Sequence, residues 1–167
     1  MIIRLASKGD ISACEEIYNS ARKYMRENGN PTQWDGEYPC GYDVALGIEG
    51  GTSYVCEDEG EIVATFHFER NAVDPSYREI YEGEWKSDMP YAVIHRIAVR
   101  HHKRGIADFC FKWAFEQFPN IRIDTHDSNI PMKKCLLRNG FEYCGVVYIA
   151  DIPDKEKAKR VAFQKTK

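Results

Sequence analysis

The segment from Tyr91 to Phe118 reads YAVIHRIAV, then RHHKRG, then a helix-forming run that opens at Gly105-Ile106-Ala107. A strand therefore delivers the chain through a basic turn to a helix N-terminus. There the first backbone N–H groups have no intrahelical partner and the helix dipole presents its positive pole, which makes a cradle for phosphate. Gly105 lets a ligand approach the backbone, and Arg100, Lys103 and Arg104 add positive charge around the same turn. The Lys-Ser/Thr ending of a nucleoside-triphosphate P-loop does not follow Gly105, and no G-x-G-x-x-G precedes the helix. ATP and dinucleotides thus have no support; what remains is a pyrophosphate held mainly by backbone amides.

A second block, IRIDTHDSNIPMKKCLLRNGFEYCG, reads as a strand (Ile121 to His126), a turn, a short helix (about Pro131 to Arg138) and a stop at Asn139-Gly140 before a strand from Phe141. Ser128 or Asn129 can cap that helix, Pro131 suits its first turn, and Gly140 can take the left-handed C-terminal position.

Together these blocks resemble the GNAT superfamily of N-acetyltransferases. His102-Lys103-Arg104-Gly105-Ile106-Ala107 fits that superfamily's turn (Arg or Gln, two residues, Gly, one residue, Gly or Ala) except at its first position, and Asn129 with Gly140-Phe141 falls in its Asn, helix, Gly-Phe register. The resemblance implies an α/β (α+β) fold: a mixed, mostly antiparallel twisted sheet of six to seven strands, splayed between strands four and five and flanked by about four helices. It also implies acetyl-CoA as cosubstrate, with its pyrophosphate at His102, Lys103, Arg104, Gly105, Ile106 and Ala107, and Asn129 nearby. Pantetheine would bond to the backbone at Ile97, Ala98 and Val99, and an N–H near Ile97 or Ala98 would stabilise the tetrahedral oxyanion. Where the family often has a tyrosine that protonates the leaving thiolate, this chain has Leu136. Tyr143 and Cys144 are the alternative donors, although strand alternation sends only one of them toward a given site.

At 167 residues and 43% hydrophobic, the chain suits a single domain spanning 1–167. A net charge of -3 argues against a nucleic-acid surface and reserves the basic turn for a small anion. Six scattered cysteines without a C-x-x-C point to a reducing cytoplasm and to no metal site. No apolar run approaches membrane-spanning length, and Arg4 and Lys8 interrupt the N-terminus before a signal-peptide core, so the expectation is a soluble protein, with a homodimer allowed. Elsewhere the pattern predicts a strand at Ile2 to Leu5, a helix to about Glu27, a hairpin from Thr52–Glu57 and Glu61–Phe68, an irregular stretch from Asn71 to Pro90, and a last strand over Arg160 to Gln164. Asp151 to Lys159 reads as a solvated connection.

An amine attacking a thioester must first lose a proton, and histidine titrates near neutrality. His95 on strand four and His126 at the end of strand five are the candidate bases; a carboxylate such as Glu69 is another route. The structural alternative is that His95 packs or donates to a carbonyl, and that His126 orients its turn with Asp124 or Asp127. Trp34 and Trp85 are expected to line the acceptor site. They lie in two segments, Pro31 to Cys40 and Glu69 to Pro90, whose aromatics and acids suit a small cationic amine or, equally, a packed acidic loop. The function expected is acetyl transfer to a primary amine in a ternary complex. A non-catalytic acyl-CoA sensor is the alternative, and a Cys-His hydrolase using Cys135 or Cys144 with His126 ranks below both.

Overall fold

The structure, a computed structural model, describes residues 1–102 and 105–167. Among the described residues seven strands form one sheet in the order β1-β2-β3-β4-β5-β7-β6. They are β1 (Ile2–Leu5), β2 (Ser53–Asp58), β3 (Glu61–Glu69), β4 (Ala92–Val99), β5 (Asn120–Thr125), β6 (Glu142–Tyr148) and β7 (Lys159–Thr166). Only the β4–β5 pair is parallel. The β2–β3 hairpin turns on Glu59 and Gly60, whose φ values of 49° and 84° match the type I′ turn that the strand twist favours. The helices are α1 (Ile11–Glu27), α2 (Gly41–Glu49), α3 (Ile106–Gln117), α4 (Ile130–Arg138) and the single-turn α5 (Lys155–Ala158). No helix among the described residues is long and apolar enough to cross a membrane.

Helix α2 is new relative to the sequence reading. Gly41 and Gly47 weaken its propensity, yet a Cβ on Gly47 would sit 2.9 Å from the Ser53 Cβ, so close packing on β2 asks for glycine there. The Asp43 carboxylate, accepting from the Cys40 N–H at 2.8 Å, closes the N-terminus.

Helices α3 and α4 cover one sheet face, where Ile94 and Ile97 of β4, Ile121 and Ile123 of β5, and Phe163 of β7 pack with Cys110, Phe111, Leu136 and Phe141. Each such side chain contributes about 1.5–3 kcal/mol on burial. On the other face α1 and α2 bury Ile17, Tyr18 and Val44 against Val55, Ile62 and Ala98. Cys14, Cys56, Cys110, Cys135 and Cys144 are buried and Cys40 half-buried, all as free thiols.

The stretch from Asn71 to Pro90 is irregular, apart from a 3-10 turn at Pro75–Tyr77, but it is not a solvated loop. It completes the α1 face, packing Ala72, Tyr77, Ile80 and Trp85, with Tyr91 just beyond it, onto Val93, Val147 and Ala162. Tyr81 and Val146 exchange backbone hydrogen bonds of 2.8 and 2.7 Å, Glu84 N–H reaches Cys144 O at 2.9 Å, and Lys86 N–H reaches the buried Gln164 Oε1 at 2.7 Å. The segment thereby covers the edge of β6, which would otherwise offer unpaired backbone to another chain. Gly83 makes this approach possible, since a Cβ there would lie 1.9 Å from the Cys144 carbonyl oxygen. Gly83→Ala is therefore expected to destabilise the protein by about 2–3 kcal/mol in urea titration. It should also speed proteolysis within residues 70–90 more than elsewhere; unchanged cleavage there would mean that the edge pairing is dispensable.

Candidate active site

Strand β4 meets β5 at two pairs only, Ala92 with Ile121 and Val93 with Arg122; from Ile94 on, among the described residues, it has no β5 partner. Its other edge, toward β3, carries a bulge: Thr65 pairs with Ala98 but His67 pairs with His95, so β4 holds an extra residue. Arg96 sits at that bulge with φ 53°, a left-handed conformation costing roughly 1–2 kcal/mol for a residue with a Cβ. Its guanidinium is held by His67 Nδ1 at 3.3 Å and the Asp43 carboxylate at 3.8 Å. A cavity of about 920 Å³ opens where the strands part. Ile97 and Ile123 line it from the α3 side, His95 and Asp124 from the α1 side, so it runs through the sheet.

His95 is the centre of a carboxylate cluster. Its Nε2 lies 2.8 Å from Asp74 Oδ2, and its Nδ1 lies 4.0 Å from Asp124 Oδ2. Asp124 accepts from the Tyr77 hydroxyl at 2.5 Å and faces Arg160 Nε at 3.9 Å. Burial and the Asp124 carboxylate push the Tyr77 phenol well above its usual range, so it stays a donor. Burial alone would raise the Asp74 carboxyl, but the His95 hydrogen bond and charge hold it below the ordinary value. The sequence reading counted Asp74 among the acids of its segment without a partner; that partner is 21 positions away.

His126 lines the same cavity, with its Nδ1 2.9 Å from Ser128 Oγ. Burial first, then Arg160, holds its pKa below the ordinary histidine value. Trp34 is buried edge-on against Tyr18, ring centroids 5.6 Å apart, and also reaches the cavity. Its loop is pinned by Arg22, which donates to the Glu37 and Pro39 carbonyls. Trp85 does not line the cavity. Its indole N–H donates to Tyr77 O at 3.2 Å, and its ring, like that of Tyr91, stacks 4.1 Å from the Arg122 guanidinium. Glu69 also lies outside, beside His67. Asp151, Ile152, Glu156 and Lys157 do reach the cavity, so part of the connection read as solvated forms its wall.

At the turn after β4, Gly105 is the N-cap of α3 with φ 70°, and Phe109 N–H to Gly105 O at 3.0 Å is the first helical bond. The N–H groups of Ile106, Ala107 and Asp108 are therefore the free amides of that turn. Asp108 would repel a phosphate there, but its carboxylate is tied to Arg138 at 2.8 Å and Asn139 at 2.6 Å. Gly105 lies on a shallow recess with Lys112, Arg138 and Lys165, separate from the cavity. His102 stacks on Tyr24, centroids 3.7 Å apart; Lys103 and Arg104 fall outside the described residues. Of the two possible caps of α4, Asn129 serves, accepting from Met132 N–H at 3.2 Å. Ile97, Ala98 and Val99 follow the bulge on the part of β4 that pairs with β3 but, among the described residues, has no β5 partner. Leu136 is wholly buried among apolar side chains, Cys144 is buried, and Tyr143 is exposed against Phe163; none of the three lines the cavity.

His67, unremarked in the sequence, is the titratable group most displaced within the cavity lining. Burial, then Arg96, then His95 lower its pKa from 6.5 to about 3. Below pH 6.5 the unfolded chain takes a proton that the folded His67 refuses, so stability falls as pH drops from about 6.5 toward 3. His67→Gln should flatten that fall in urea unfolding run across this window. Parallel curves for the two proteins would show that the histidine is solvated instead.

No protein-family model matches this sequence, and no curated protein matches it. Solved structures do. A GNAT-family acetyltransferase from Streptococcus agalactiae is 29% identical, with 99% of this chain and 95% of that one covered at a TM-score of 0.86. A putative acetyltransferase from Staphylococcus aureus is 18% identical, with 99% of each chain covered at 0.70. A GNAT-family acetyltransferase from Listeria monocytogenes is 19% identical, with 98% and 93% covered at 0.68. The chain thus carries the fold of the GNAT-family acetyltransferases, as its turn before Gly105 and its Asn-helix-Gly-Phe block resemble them, and these similarities support an acyltransferase.

Proposed function

We propose that the protein, acting as one domain, transfers acetyl from acetyl-CoA to a small cationic primary amine by direct attack in a ternary complex. The observation that carries this reading is the cavity running through the sheet where β4 leaves β5, because it lets coenzyme and acceptor enter from different sides and meet. The β4 backbone at Ile97 to Val99, on the edge without a β5 partner, binds pantetheine, and an N–H near Ile97 or Ala98 stabilises the oxyanion. Asn129 stands at the cavity wall, and the free amides after Gly105, with His102 beside them, hold the pyrophosphate. Asp35, Asp74, Asp124, Asp151 and Glu156, with Trp34, make the acceptor side attractive to a cation.

An alkylamine of pKa about 10.4 costs roughly 4 kcal/mol to deprotonate near neutrality. His95 and His126 are the groups that collect this proton. The leaving thiol, with a pKa of about 8.5, needs only about 2 kcal/mol of help, so solvent can protonate it and Leu136 is no obstacle. The same buried Leu136 favours the second reading, an acyl-CoA sensor that binds without turnover. We place the protein in the cytoplasm with acetyl-CoA and an amine as its partners, without metal, nucleic acid or membrane.

Acetyl-CoA consumption across polyamines, amino acids, aminoglycosides and peptides separates the two, since a sensor shows none. Gly105→Val should weaken acetyl-CoA at least about tenfold, and Gly105→Asn, which tolerates the left-handed backbone, should separate steric block from strain. Unchanged affinity in folded Gly105→Val would remove the phosphate turn from the site. His95→Asn should lower kcat by about a hundredfold or more. A destabilised His95→Asn protein that keeps the wild-type kcat would make that histidine structural.

A further inference from the structure

Two asparagines are almost fully buried beside His126, Asn30 at 2% and Asn129 at 6% exposure, and buried amides require partners. Their orientations are set by backbone groups that can only donate. Met132 N–H donates to Asn129 Oδ1, so the Asn129 amide nitrogen must face Gln33, 3.0 Å away. Gln33 must answer with its oxygen, and His126 N–H, 3.4 Å from the same Oε1, demands that independently. Asn30 then turns its nitrogen to Gln33 Oε1 at 2.8 Å and its oxygen to Ser128 Oγ at 3.0 Å. Ser128 has one proton and gives it to Asn30, so toward His126 it can only accept. The ring nitrogen 2.9 Å away, Nδ1, must carry the hydrogen.

We infer that this relay through Asn129, Gln33, Asn30 and Ser128 locks His126 as its Nδ1–H tautomer, leaving the Nε2 lone pair open to the cavity. The inference rests on the acetyl-transfer reading only for what the lone pair does, which is to take the amine proton. Nε2 makes no hydrogen bond among the described residues, and His126 lines the cavity. Protonation at Nε2 leaves Nδ1 a donor, so the ring gains its charge without breaking any bond of the relay. The charged groups around the ring are Arg160 from β7, which disfavours the cation, and Asp127 in its own turn, held by Lys133 of α4 at 2.6 Å. Ser128, Asn30 and Gln33 are positioning residues, acting on the amine only through the imidazole.

Nitrogen-15 NMR of the folded, labelled protein at neutral pH reads the tautomer without any turnover. The expected spectrum has His126 Nδ1 protonated and Nε2 as the downfield, unprotonated nitrogen; a protonated Nε2 or an averaged pair of signals overturns the inference. Ser128→Ala should mix the tautomers and lower kcat about tenfold at unchanged acetyl-CoA affinity, with a lower melting temperature because the buried Asn30 Oδ1 loses its donor. Ser128→Thr, which keeps the hydroxyl, should restore both. Ser128→Ala with the wild-type tautomer and full turnover would also sink the relay. If no amine in the panel is acetylated while the tautomer is as expected, the reaction fails and the relay stands.

Discussion

Past Val93, among the described residues, the backbone of β4 has no β5 partner, and buried N–H and C=O groups do not tolerate that without another partner or a ligand. The rest of the structure is arranged around this gap. α3 and α4 close it from one face through Ile94 and Ile97, and the Asn71–Pro90 segment closes it from the other through Val93 and Tyr77. Neither cover seals it, and the cavity is what is left between them.

The bulge at Arg96 decides which side chains meet there. An unbroken strand would alternate faces strictly, and Ile94 and Ile97 could not both face α3. One extra residue lets them do so while His95 and Ala98 look the other way. The left-handed Arg96 is local strain at the place where chemistry is proposed, held by contacts from α2 and β3.

The cavity lining is assembled from segments far apart in the chain. Asp74 comes from the start of the Asn71–Pro90 segment, Gln33 and Trp34 from the loop after α1, Asp124 and His126 from around the end of β5, and Arg160 from β7. Only the first part of the long segment reaches the cavity. The remainder, from Tyr81 through Trp85 to Lys86, is spent on the edge of β6 and on Arg122 and Gln164. This connection thus divides between an end that lines the cavity and one that braces the sheet.

The sequence by itself determined the features whose causes are local. The strand-turn-helix at Gly105, the hairpin at Glu59-Gly60, the Asn129 cap and the stop at Gly140 each follow from a few neighbouring residues with special backbone or capping preferences. Solved GNAT structures share the resulting fold. Helix α2 escaped because its glycines weaken the local signal, and Gly47 is explained only by packing on Ser53. The tertiary structure alone decided that Trp34 reaches the cavity while Trp85 braces Arg122, that Asp74 holds His95, and that Gln33 meets His126 and Asn129 across separations of 93 and 96 residues. No periodicity carries such pairings, because a side-chain hydrogen bond depends on where two elements come to rest in space, and that is settled by the packing of the whole sheet.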